Sequence, residues 1–120
     1  MNNETELYWY VAECVRVVDG DTVDLMFDLG MNTHRKERVR LYGINTPEVY
    51  GVKKESEEYA NGMKASVRVK ELIEGKTLWV RTIKDSRGKY GRYLAIVYFE
   101  ENKCLNDLLV EEGLAEAKDY

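Results

Sequence analysis

Asp19-Gly20 lies between two β-type runs, Val17-Val18 and Thr22-Val23-Asp24-Leu25. An Asp-Gly pair in that setting folds a chain back on itself, because both residues tolerate the positive φ of a tight hairpin turn. Two antiparallel strands are therefore expected near the start of the chain. The first reaches back through the Tyr-, Trp- and Val-rich stretch from Leu7 to Val18, whose side chains suit a pleated, half-buried surface. The second alternates Val23, Leu25 and Phe27 with Thr22, Asp24 and Asp28, the two-residue period of a strand with one face in a core.

A loop at Gly30-Met31-Asn32-Thr33 separates this hairpin from a third alternating run, Arg38 to Ile44, in which Arg38, Arg40 and Tyr42 oppose Val39 and Leu41. Asn45-Thr46-Pro47-Glu48 ends it, since proline has no amide hydrogen to give to a ladder and pushes its predecessor out of the helical region. Between Glu55 and Glu74, Ala65, Val69, Leu72 and Ile73 recur at helical spacing, and Gly75 is a natural stop. Thr77 to Val80 and Tyr93 to Phe99 read as strands four and five, joined by the polar loop from Lys84 to Lys89. A shorter helix from Cys104 to Glu112 turns Leu105, Leu108 and Leu109 inward, with Gly113 as its cap. Three strands, a helix, two strands and a helix is the order of the oligonucleotide/oligosaccharide-binding (OB) barrel. The expected fold is thus mainly β with α (α+β), a five-stranded Greek-key barrel, partly open, with two to three helices.

The 120 residues have room for one domain, residues 1–120, and 44% hydrophobic with 33% charged residues excludes a disordered chain. A formal net charge of -4 excludes a protein that coats nucleic acid by bulk attraction. The local pattern differs: Arg35, Lys36, Arg38 and Arg40 face only Glu37 in one segment, and Arg81, Lys84, Arg87, Lys89 and Arg92 face only Asp85 in another. Two basic segments in an acidic whole fit a focused site for an anionic ligand, or simply two solvated faces. No stretch reaches membrane-spanning length, so no membrane partner is expected, and the N-terminus lacks the basic start and apolar run of a secretory signal. The compartment expected is the cytoplasm if Met1 is the native start. Cys14 and Cys104 lack metal-type spacing and read as buried thiols.

Four short segments carry groups that could do chemistry: Asp21 after the turn, Arg40 in the third strand, Asn45 to Glu48 at its exit, and Lys89-Tyr90-Gly91-Arg92 before strand five. Oxygen donors suit a hard cation, which polarises a phosphoryl group. A spare carboxylate can deprotonate water, and guanidinium forks grip phosphate oxygens and counter transition-state charge. Each residue alone has an ordinary reading. Asp21 fits a turn, Glu48 a solvated acid at a helix start, and Arg40 or Arg92 a cross-strand partner of an acid. Together they are the set that phosphodiester cleavage needs. His34 is expected in a loop without a catalytic role, and Tyr8, Tyr10, Tyr93 and Tyr98 fit packing more readily than base stacking.

Val17 to Val23, Arg40 to Glu48, Lys89 to Ala95, and Asn106 with Leu108-Leu109-Val110 through Gly113-Leu114-Ala115 span residues 17 to 115. In that order and spacing they resemble the staphylococcal nuclease (thermonuclease) family. The resemblance implies a calcium-dependent endonuclease in which Asp21 binds Ca²⁺ through its carboxylate and Thr46 through its backbone carbonyl. It also implies that Glu48 is the general base for water, that Arg40 and Arg92 hold the scissile phosphate, and that Lys89 and Tyr90 lie near the bound nucleotide. Water then attacks phosphorus and the 5′ oxygen leaves, giving 3′-phosphate ends from DNA or RNA. The implied partner is a single-stranded or locally unpaired nucleic acid, bound by a monomer. One departure stands out: Asn45 occupies the position of a second metal-binding Asp, so the site loses a negative charge and should hold Ca²⁺ more weakly. Two other classes compete. A non-catalytic single-strand-binding module on the same barrel would be expected to have lost one of Arg40, Glu48 or Arg92, and a protein-interaction domain is favoured only by the acidic stretch from Glu111 to Asp119.

Overall fold

In a computed structural model, which describes residues 8–84, 93–101 and 103–118, the expected hairpin is made by β1 (Trp9–Asp19) and β2 (Thr22–Asp28). Asp19 pairs with Thr22, so the turn residues are Gly20 and Asp21, one position later than the Asp-Gly pair suggests. Nor is Gly20 among the residues with positive φ. It is needed for room, because a Cβ there would stand 2.8 Å from Ala65 Cβ and 2.9 Å from Thr46 Cγ2. The register of β1 slips between Cys14 and Arg16 and again between Val17 and Asp19. Such bulges bend a strand and re-aim its side chains. The Val17 amide donates to the Glu74 carboxylate at 3.2 Å, and the Gly75 amide to the Cys14 carbonyl at 2.9 Å.

β3 (His34–Leu41) starts four residues before the expected strand, and His34 opens it instead of lying in a loop. Pairing accounts for this: β3 follows β2 from Thr22↔Arg40 to Asp28↔His34, although its first half is polar. Gly43, at φ 80, separates β3 from a short β4 (Ile44–Asn45). Helix α1 (Glu57–Ile73) buries Gly62, Ala65, Ser66, Val69 and Ile73, with Leu72 half-buried beside them. Its N-cap is Ser56, whose hydroxyl accepts the Tyr59 amide at 3.1 Å. Ser56→Ala should cost about 1 kcal/mol, as losses of such caps do. Denaturant unfolding with an unchanged slope would register it.

β5 (Thr77–Lys84) and β6 (Tyr93–Glu100) complete a barrel ordered β3-β2-β1-β5-β6. Parallel pairs Val39↔Tyr93, Arg40↔Leu94 and Leu41↔Ala95 close it, where a partly open form was expected. Its interior holds Ala12, Cys14, Val23, Leu25, Val39, Leu41, Leu78, Val80 and Val97, none more than 2% exposed. A two-residue β7 (Lys103–Cys104) pairs antiparallel with β6 and leads into α2 (Leu105–Glu111), which buries Leu105, Asn106 and Leu109. The last element, β8 (Glu116–Ala117), returns to pair with β4. Two helices are thus present among the described residues, and no helix there is long and apolar enough to cross a membrane.

Cys14 and Cys104 are free thiols. Burial, reinforced by the Glu74 charge, pushes Cys14 up to about 11, and burial raises Cys104 as well. Neither has the lowered pKa of a reactive cysteine. Tyr10 packs edge-on against Phe27, whereas Tyr98 lies against the exposed ring of Trp9 on the surface.

Candidate active site

Placed in the hairpin turn, Asp21 is 7% exposed. One carboxylate oxygen, Oδ1, accepts the Thr22 hydroxyl at 3.1 Å. The other, Oδ2, accepts the Thr46 amide at 3.2 Å and stands 3.5 Å from the Arg40 guanidinium. Arg40 also donates to the Asn45 side-chain oxygen. The β3 exit and the hairpin turn are tied directly as well, by the Leu41 amide donating to the Asp21 carbonyl at 2.8 Å. Asp21, Arg40, Asn45 and Thr46 therefore form one connected cluster.

Arg40, Asn45, Thr46 and Glu48 line an open cleft of about 830 Å³. Glu57, Glu58 and Asn61 of α1 supply one wall, and Glu116 and Lys118 another. Glu48 is exposed in this cleft, and its amide donates to Glu58 Oε1 at 3.4 Å. Lys89, Tyr90 and Arg92 lie outside the described residues.

The basic segment of β3 does not converge on the cleft. Arg38 grips Asp24 through two bonds of 2.8 and 3.2 Å, and Arg35 pairs with Glu37 at 2.6 Å. Both arginines pair with an acid across the ladder: Arg38 with Asp24 directly opposite it, and Arg40 with Asp21, the neighbour of its own partner Thr22. Only Arg40 of this segment lines the cleft.

Two further residues belong to the site without a clear mark in the sequence. Asp19 accepts the Asp21 amide at 3.1 Å, and burial, then the hydrogen bond and charge of Asp21, push it up to about 6. Burial works in the same direction on Asp21. There the hydrogen bond with Asp19, the Arg40 charge and the Thr46 amide outweigh it and hold the carboxyl below its ordinary value. The signal for Asp19 is its Asp-x-Asp spacing from Asp21, hidden because a turn already accounts for it. Glu116 reaches the cleft because β8 pairs it with Asn45, and a two-residue strand leaves no periodicity to read.

Among the described residues no group of three or more His, Cys, Asp or Glu could hold a metal by itself. The donors present nevertheless suit Ca²⁺, which takes carboxylate, amide and carbonyl oxygens together with water. Two carboxylates in contact, Asp19 and Asp21, also repel each other, and a cation beside them would relieve that repulsion. The residues fit the ion.

A family model described as staphylococcal nuclease homologue matches residues 38–120. The chain is 36% identical over 105 residues to a thermonuclease from Staphylococcus intermedius, covering 88% of this chain and 58% of that protein. It is 37% identical over 101 residues to endonuclease YncB of Bacillus subtilis, covering 83% of this chain and 44% of the relative. A prophage-derived endonuclease, YokF, from the same organism is 39% identical over 101 residues, covering 83% and 31%. The chain thus spans between about a third and three-fifths of the length of these relatives.

Proposed function

Because the chain belongs to the staphylococcal nuclease homologue family, we propose that it is a calcium-dependent endonuclease that hydrolyses single-stranded or locally unpaired DNA or RNA to 3′-phosphate ends. The observation that carries this reading is that Arg40, Asn45 and Thr46 line the same cleft as Glu48, with the buried Asp21 carboxylate bonded to Thr46 and paired with Arg40 behind them. Asp21, Asn45 and the Thr46 carbonyl are the residues that would hold Ca²⁺, with Asp19 beside them. When bound, the ion supplies Lewis-acid polarisation of the phosphoryl oxygen.

The chain's own groups do the remainder. Glu48 takes a proton from the attacking water, and its solvent-facing place in the cleft leaves a path for that water. Arg40 exchanges its Asp21 and Asn45 acceptors for phosphate oxygens when substrate binds, and its permanent charge offsets the charge that builds on phosphorus. Arg92 is proposed as the second guanidinium, with Lys89 and Tyr90 near the nucleotide.

Purified chain should cut single-stranded DNA with Ca²⁺ and stop when EGTA is added. Binding without cleavage under both conditions would favour a binding module instead. The neutral amide at Asn45 lowers the charge facing the ion, placing half-saturation in the ~10⁻⁴ to 10⁻³ M range of weak sites. Asn45→Asp should lower it, as read from a Ca²⁺ titration of activity. An unchanged half-saturation would exclude Asn45 as a determinant of affinity.

A further inference from the structure

The loop that carries Glu48 rests on a helix position that has no side chain. A Cβ on Gly62 would stand 2.7 Å from the Pro47 carbonyl oxygen, 2.7 Å from Val49 Cγ2 and 3.1 Å from the Glu48 carbonyl oxygen. Two of these three atoms are backbone and cannot swing aside. Gly62 lies inside α1 and is not among the residues with positive φ. Its conformation is therefore open to any residue, and helix propensity favours almost any other. Space is what the position demands.

We propose that Gly62 is a positioning residue for Glu48. By letting residues 47–49 lie directly on α1, it sets how far the Glu48 carboxylate reaches over the cleft lined by Arg40, Asn45 and Thr46. The inference rests on the reading of Glu48 as the base. A second close approach, on the next turn of the same helix face, supports it. Ala65 and Thr46 close around Gly20, where a Cβ would lie 2.8 and 2.9 Å from their side-chain carbons. Helix α1 thus bears two parts of the site at van der Waals contact: the hairpin turn that holds Asp21, through Ala65, and the Glu48 loop, through Gly62. The two contacts should be separable in kinetics. Crowding at Gly62 displaces the base and lowers kcat, whereas crowding at Gly20 displaces Asp21 and Thr46 and raises the Ca²⁺ needed for half-activity.

The test is Gly62→Ala, alone and combined with Glu48→Gln. Alone, kcat should fall about 10- to 100-fold, the scale of a displacement near 1 Å, with KM and calcium half-saturation unchanged within about twofold. In the Glu48→Gln background the same substitution should remove little more, because groups that act as a unit are not additive. Wild-type kcat in Gly62→Ala, or an undiminished further loss in the double variant, overturns the inference. A dead Glu48→Gln beside a fully active Gly62→Ala overturns it alone, whereas a fully active Glu48→Gln removes the base assignment and this inference together. If Gly62→Ala does not fold, Val49→Ala carries the test from the loop side by deleting the methyl that rests on Gly62. Its kcat should fall with KM held, and an unchanged kcat is contrary to the proposal.

Discussion

Glu48→Gln is expected to lower kcat by about 10²- to 10⁴-fold, the span that general-base catalysis contributes, or roughly 3–5 kcal/mol of transition-state stabilisation. The amide keeps the shape and hydrogen-bonding reach of the carboxylate but cannot accept the proton of water. Glu48 is exposed, and its backbone amide is already served by Glu58, so the substitution disturbs no buried partner and should leave the unfolding midpoint in place. Nucleotide binding and calcium half-saturation should change little, because Asp21, Asn45 and Thr46 are untouched. The decisive measurement is single-turnover cleavage of single-stranded DNA at saturating Ca²⁺. Turnover within about threefold of wild type would be far too high for the loss of a general base and would remove Glu48 from that role.

What the sequence makes legible follows from how local each signal is. Val23, Leu25 and Phe27 announce β2 because their alternation is complete within one strand. Ala65, Val69 and Ile73 announce α1 for the same reason, and all of these residues are buried. The early start of β3 at His34 is not readable, since its polar first half is held by pairing with β2 and not by a buried face. Closure of the barrel by β3 and β6 joins residues more than fifty positions apart, which no local pattern encodes.

The site divides along the same line. Asp21, Arg40, Asn45, Thr46 and Glu48 stand out as residue types at a turn, in a strand and at its exit; the fold puts the last four on one cleft and ties Asp21 to Arg40 and Thr46. Asp19 does not stand out, because a turn explains it equally well. Glu116 arrives through β8, and Gly20 and Gly62 matter only for what approaches them in space.

Asn106→Leu should destabilise the fold by about 3–5 kcal/mol, on the cost of stranding buried hydrogen-bonding groups. Asn106 sits in the first turn of α2 and is 4% exposed. Its side-chain oxygen accepts the Val97 amide at 3.1 Å, and its nitrogen donates to the carbonyls of Tyr42 at 2.8 Å and Ala95 at 3.0 Å. One amide thereby ties α2 to β6 and to the segment between β3 and β4. Leucine fills a similar volume, so the loss is not a cavity but three hydrogen bonds. Among them is the one that serves the Val97 amide hydrogen, in a residue that is 0% exposed. The Ala95 carbonyl keeps the Tyr42 amide at 2.8 Å, so the heaviest cost falls on the Val97 amide. Tm should fall by about 10–20 °C for a domain of this size. Asn106 is not among the residues lining the cleft, so kcat per folded molecule, measured well below the new midpoint, should stay close to wild type. A midpoint for Asn106→Leu within about 3 °C of wild type, which corresponds to under 1 kcal/mol at this chain length, would mean that water or a backbone shift satisfies Val97 and that α2 is not held by this amide.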